Sequence, residues 1–163
     1  MQAITVHQPY AHLIATGEKL VENRKWYTKH RGWLAIHAGV TRERLELDEG
    51  GLVDASGVPV EEMAFGAVVC VANMVDCVRS TDIQSGRLDV KYPELKGHVH
   101  VEGPWCWVLQ DVRRLKVPYQ CKGRQGFWTW YVHGHQAVVE VYSELFPEEW
   151  PPEKLAMARE SFE

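Results

Sequence analysis

The sequence predicts an α+β domain built on a curled sheet or small barrel of five to six main strands, flanked by short helices. Three observations carry this. Stretches of period-two alternation and short apolar runs, the pattern of strands, recur along most of the chain. Helical periodicity is confined to a few short segments. No Pro/Gly/Ser-rich linker divides the 163 residues into two cores, and no internal repeat is present.

The elements follow in order. Residues 2–7 read as a strand. Pro9 suits the first turn of a helix, where a missing N–H costs nothing. Tyr10, Leu13 and Ile14 make one apolar face, and Gly17 is placed to end that helix. From Leu20 to Trp26 the pattern alternates, with Leu20, Glu22, Arg24 and Trp26 on one strand face and Val21, Asn23 and Lys25 on the other. Trp33 to Ala38 is an apolar run expected to form a buried strand, and Thr41 would cap a short helix over residues 41–48. Residues 49–62 read as an acidic surface loop, Phe65 to Val78 as a long strand, and 79–103 as an irregular excursion. Trp105 to Leu115 alternates strongly. The Gly123–Gly126 turn leads into a strand over Phe127–Val132, and Gln136–Tyr142 is expected as another. An acidic tail, broken by Pro147, Pro151 and Pro152, ends in a short helix. The expected organisation is one domain over 1–142, with 143–163 an acidic extension packed on it or trailing from it.

Composition excludes several classes of protein. Hydrophobic residues at 45 % and charged residues at 25 % rule out a disordered or fibrous chain. No apolar stretch is long enough to span a membrane, and MQAITVHQPY lacks the features of a signal peptide. Cys70, Cys77, Cys106 and Cys121 form no CxxC pair and are expected as reduced thiols in a cytoplasmic protein. A net charge of −4 argues against a sequence-blind polyanion binder. The charge is nevertheless blocked: residues 1–44 and 111–135 each carry +4, whereas 45–110 carry −7 and 136–163 carry −5. The two basic blocks are rich in Trp, Tyr and His. If they met in the fold they would make one cationic, aromatic face.

The densest stretch is Gln8-Pro9-Tyr10-Ala11, then Gly17-Glu18-Lys19, Glu22-x-Arg24-x-Trp26, Arg31-Gly32 and Ile36-His37-Ala38. In this order it resembles the signature of the ASCH (activating-signal-cointegrator homology) domain family of the PUA-like superfamily. Gly66, the Trp107 strand, Pro118 and Gly123-x-x-Gly126-Phe127-Trp128 resemble the family's second half, so the likeness covers most of residues 3–132. The resemblance implies a small β-barrel flanked by helices, a cleft facing the N-terminal motif, and RNA or a modified nucleoside as ligand. It implies no cofactor. The residues themselves offer compatible chemistry, because aromatic rings stack on bases while cations meet phosphates.

The candidate ligand-binding residues are Tyr10, Lys19, Glu22, Arg24, Trp26, Arg31, His37 and Arg124. Glu22 would contact a base edge or position a water, with Arg24 orienting it or forming a structural ion pair. The glycines around Arg124 would let backbone N–H groups approach a phosphate. An alternative reading is a hydrolase acting on acylated cytidine or RNA. Some PUA-like relatives hydrolyse N4-acetylcytidine with a Lys, a Thr and a Glu, and others are reported as ribonucleases. Lys19 matches that lysine and would be catalytic with Glu22, but Glu22 occupies the threonine position, where a carboxylate does not replace a hydroxyl nucleophile. A third reading is a protein-interaction module whose acidic segments dock a basic partner. His98-x-His100-x-Glu102 puts three potential metal ligands on one side of an extended segment, and His133-Gly-His135 two more. Neither is an established zinc spacing, so no metal is assigned.

Overall fold

The computed structural model describes residues 1–42, 45 and 59–161. In chain order the elements are β1 (Gln2–Val6), α1 (Tyr10–Ala15), β2 (Val21–Arg24), β3 (Gly32–Ala38), β4 (Ala67–Arg79), α2 (Ser80–Gln84), β5 (Trp105–Gln120), β6 (Trp128–Thr129), α3 (His135–Leu145) and α4 (Pro152–Glu160). Single 3₁₀ turns sit at Val60–Glu62, Pro93–Leu95 and Pro147–Glu149. The strands form one mixed sheet in the order β2-β5-β4-β3-β1-β6, with β1 and β3 parallel and the other pairs antiparallel. The α+β class and the six strands are as expected from the sequence.

The barrel is not closed. Among the described residues the edge strands β2 and β6 do not pair. Three register shifts between β4 and β5 curl the sheet strongly, yet β6 contributes only Trp128 and Thr129 to pairing. A side chain bridges the seam instead: Arg24 of β2 donates from Nη2 to the Thr5 carbonyl of β1 at 3.0 Å.

β3 explains its own unbroken apolar run, because both of its faces are buried. Leu34, Ile36 and Ala38 join Ile4, Val6, Ile14, Trp107 and Leu109 on the inner face under α1. Ala35 joins Ala3, Val71, Trp130, Leu145 and Phe146 on the other. A third cluster, with Val21, Tyr92, Leu95 and Val108, packs the 79–103 excursion onto β2 and β5.

Several expected elements need correction. Gln136–Tyr142 is not a strand but lies inside α3. Its valines suit a strand, but Val139, Tyr142 and Leu145 recur at helical spacing, and that face packs against Trp130 and Phe146. The strand expected over Phe127–Val132 shrinks to Trp128–Thr129, while the one from Trp105 runs on to Gln120. The excursion contains the short helix α2. The helix expected over 41–48 and the loop over 49–62 lie largely outside the described residues. α3 itself runs across position 142, and Leu145 and Phe146 share a core with Ala35 and Trp130. Among the described residues no helix is long and apolar enough to cross a membrane, and all four cysteines are free thiols.

Candidate nucleotide-binding cleft

Lys19 reaches its position through the way α1 ends. Gly17 turns the chain with φ +81°, a conformation glycine adopts without strain. The N–H groups of Glu18 and Lys19 then both bond to the Leu13 carbonyl at 2.9 Å. This folds the lysine back under the helix, where it is only 2 % exposed. Its Nζ donates to the Val21 carbonyl at 2.6 Å and lies 5.6 Å from the Tyr10 ring centre. Burial pushes the ammonium below the ordinary lysine range, and the charge of Glu22 opposes that push.

Glu22 and Arg24, two residues apart on β2, meet as the alternation predicted. Arg24 Nε and Glu22 Oε1 approach to 3.0 Å in a close ionic contact whose N–H is not aligned as a hydrogen bond. The Arg24 guanidinium also lies 5.4 Å from the Trp26 ring centre and 5.7 Å from that of Trp107. Behind it the rings form a wall. Trp107 meets Trp26 edge-on at 5.9 Å and stacks on Phe127 at 5.0 Å. Trp107 is fully buried, whereas Trp26 leaves 42 % of its surface exposed.

These groups line a cleft of about 470 Å³ between the end of β1 and β2, with Thr5 and His7 on one side and Tyr10, Lys19, Glu22, Arg24 and Trp26 on the other. Its third wall comes from residues the sequence pointed to for a different reason. His100 and Glu102 line the cleft, held there by Asn23. Asn23 donates to the His100 carbonyl at 2.8 Å and accepts from the Glu102 N–H at 3.2 Å and the Cys106 thiol at 3.3 Å. The neighbouring His98 accepts the Leu20 N–H at its Nε2 (3.1 Å), which ties this ring to the start of β2. Burial lowers the pKa of both His98 and His100, and the nearby Lys19 charge lowers them further. Among the described residues no group of three or more His, Cys, Asp or Glu side chains could hold a metal ion. The alternating polar pattern of 98–102 was thus a usable signal, of a cleft wall.

The other candidate residues divide. Arg31 stands outside the cleft: its guanidinium pairs with Asp76 at 2.9 Å and with the Thr28 and His30 carbonyls. His37 is 1 % exposed, with its Nε2 2.9 Å from the Cys121 carbonyl, and burial lowers its pKa. Arg124 lies on the opposite side of Arg24 and Trp26, where Thr5 Oγ1 donates to its carbonyl at 2.9 Å. The two basic, aromatic segments therefore do meet.

A family model for the ASCH domain matches residues 4–118. Activating signal cointegrator 1 from Homo sapiens and from Mus musculus each share 26 % identity over 133 residues, which is 77 % of this chain and 21 % of theirs. The chain thus spans about a fifth of the length of these curated relatives. The crystal structure of ASCH from Zymomonas mobilis is 16 % identical, with a TM-score of 0.47 over 87 % of this chain and 93 % of that one. With the signature running from the β1–α1 connection through α1 and β2 to β3 and the model match spanning more than half of its residues, the chain belongs to the ASCH domain family.

Proposed function

We propose that the cleft binds single-stranded RNA by taking up one base, ordinary or modified, at the Trp26 ring between Lys19, Glu22 and Arg24. The observation that supports this most directly is the half-exposed Trp26 beside a guanidinium already anchored at 3.0 Å by Glu22 and at 3.0 Å by the Thr5 carbonyl. A fixed cation next to an open aromatic face suits an unstacked base with its phosphate, and RNA binding is what the ASCH family is associated with. Titration of intrinsic Trp fluorescence with short single-stranded RNAs tests it. Saturable quenching is expected, weakened about 5- to 150-fold in Trp26→Ala, the range of one base–ring stack. Absence of any fluorescence or chemical-shift response to RNAs and nucleosides would overturn it.

A second reading, hydrolysis of acylated cytidine or RNA, draws on Lys19. A buried amine held below its ordinary pKa beside Glu22 and Glu102 is suited to proton transfer or attack. Product analysis on the same samples separates the readings. Product formed by the wild type and not by Lys19→Ala supports the hydrolase, and product that survives Lys19→Ala removes that mechanism.

A further inference from the structure

The base-binding cleft continues into a second compartment. A cavity of about 620 Å³ lies beside the first and shares Thr5, His7, Arg24 and Trp26 with it, so the Arg24–Trp26 pair is a ridge between the two. The far wall is the turn Lys122–Gly126, C-terminal to the stretch matched by the family model.

The two compartments differ in charge. The first is of mixed charge, with Glu22 and Glu102 beside Lys19, Arg24 and Lys25, and its carboxylates accept hydrogen-bond donors such as the amino groups of a base. Among the described residues no Asp or Glu lines the second, where Lys122 and Arg124 stand with Gly123 and Gly126 between and beside them. Arg24 is committed to Glu22 and to the Thr5 carbonyl, but Lys122 and Arg124 form no ion pair among the described residues.

The turn is also held in place without a ligand. Thr5 Oγ1 holds the Arg124 carbonyl and His37 Nε2 lies 2.9 Å from the Cys121 carbonyl. Gly123 sits so close to the His37 ring and Thr5 that a Cβ there would lie 2.7 Å from Thr5 Oγ1. A pinned, carboxylate-free, glycine-containing basic turn is preorganised for an oxyanion.

We propose that the groove takes a base in the Glu22–Glu102 compartment and a phosphate of the same or the adjoining nucleotide on the Lys122–Gly126 turn. The ligand is then a phosphate-bearing nucleotide or strand rather than a free nucleoside. This rests on the base-binding reading of the cleft. The test compares the four common ribonucleosides, their 5′- and 3′-monophosphates and the matching trinucleotides by Trp fluorescence, for the wild type and a Lys122→Ala/Arg124→Ala double variant whose fold is checked by circular dichroism. Phosphorylated ligands are expected to bind about tenfold or more tighter than nucleosides, as charge-assisted contacts allow, and the double variant is expected to erase that advantage. The monophosphates and trinucleotides distinguish the source of the phosphate: a full gain with one monophosphate assigns a mononucleotide, and a gain only with the trinucleotide assigns a strand. Nucleosides binding as tightly as phosphorylated ligands, or an advantage that survives in the double variant, overturns the second compartment while leaving the base site standing. No binding by any of these ligands overturns both.

Discussion

Replacing Gly123 by Ala is a sharp test of how the two sides of the groove are joined. The new methyl would fall on the His37 ring and within 2.7 Å of Thr5 Oγ1, closer than real side chains approach. Neither neighbour yields easily. His37 is 1 % exposed, sits edge-on to Trp128 at 5.6 Å and bonds the Cys121 carbonyl. An overpacked methyl costs about 1–3 kcal/mol, and moving the ring sacrifices a hydrogen bond worth about 1 kcal/mol. The total of about 2–4 kcal/mol corresponds to a fall in Tm of about 5–15 °C for a chain of this size. Gly126→Ala is the control. Its φ of +64° strains an L-residue, but nothing lies within 4 Å of the added atom, so only the backbone cost of about 1–2 kcal/mol remains. A double variant, Gly123→Ala with His37→Ala, should be less destabilised than the sum of its parts by about 1 kcal/mol or more, because removing the ring opens the space. Thermal and urea unfolding of the four variants measure this. A Gly123→Ala loss no larger than that of Gly126→Ala, together with additivity in the double variant, would refute the packing argument.

Three further outcomes are expected. Asp76 is partly desolvated, which alone would raise its pKa. Hydrogen bonds from Lys91 and Tyr92 and from the Cys77 N–H outweigh that and bring the carboxyl to about 2. A folded pKa below the unfolded one means stability present above about pH 4 and lost as the pH falls toward 2, so Asp76→Asn should remove about 2 kcal/mol of acid-dependent stability in urea titrations across that window. Asn23→Ala removes three hydrogen bonds from the 100–106 segment. Hydrogen exchange there should accelerate and ligand affinity fall, with a stability loss of about 1–3 kcal/mol, and unchanged exchange would show that the wall stands without it. Arg113 bonds the Leu145 carbonyl at 2.7 Å and Glu148 at 2.6 Å and covers the Trp33 ring at 4.4 Å. Arg113→Ala should therefore make the chain beyond Leu145 more susceptible to limited proteolysis, at a cost of about 2 kcal/mol.

How much was legible beforehand differs from one residue to the next. The end of α1 at Gly17, the pairing of Glu22 with Arg24 across two positions of β2, and the doubly buried β3 are local consequences of side-chain period and backbone freedom. They could be read in the chain because the atoms concerned are close in sequence. The ASCH membership rests on the same ordered short motifs. The rest depended on which distant surfaces meet. Arg31, although part of the signature, is drawn away by Asp76, 45 residues on. Asn23, on the strand face opposite Glu22, holds the cleft wall only because the 98–104 segment returns over β2. Gln136–Tyr142 carries strand-forming residues, yet its helical face is the one that can cover Trp130 and Phe146. Arg124 comes within a hydrogen bond of Thr5, 119 residues away, because β6 pairs with β1 just before the sheet ends. Sequence by itself determined the family, the strand and helix periods and the chemical types at the N-terminal motif, since those are properties of neighbours along the chain. Only the tertiary structure decided the open seam of the sheet, the burial of Lys19 and the meeting of the two basic segments, since strand order and non-local packing leave no one-dimensional period to read.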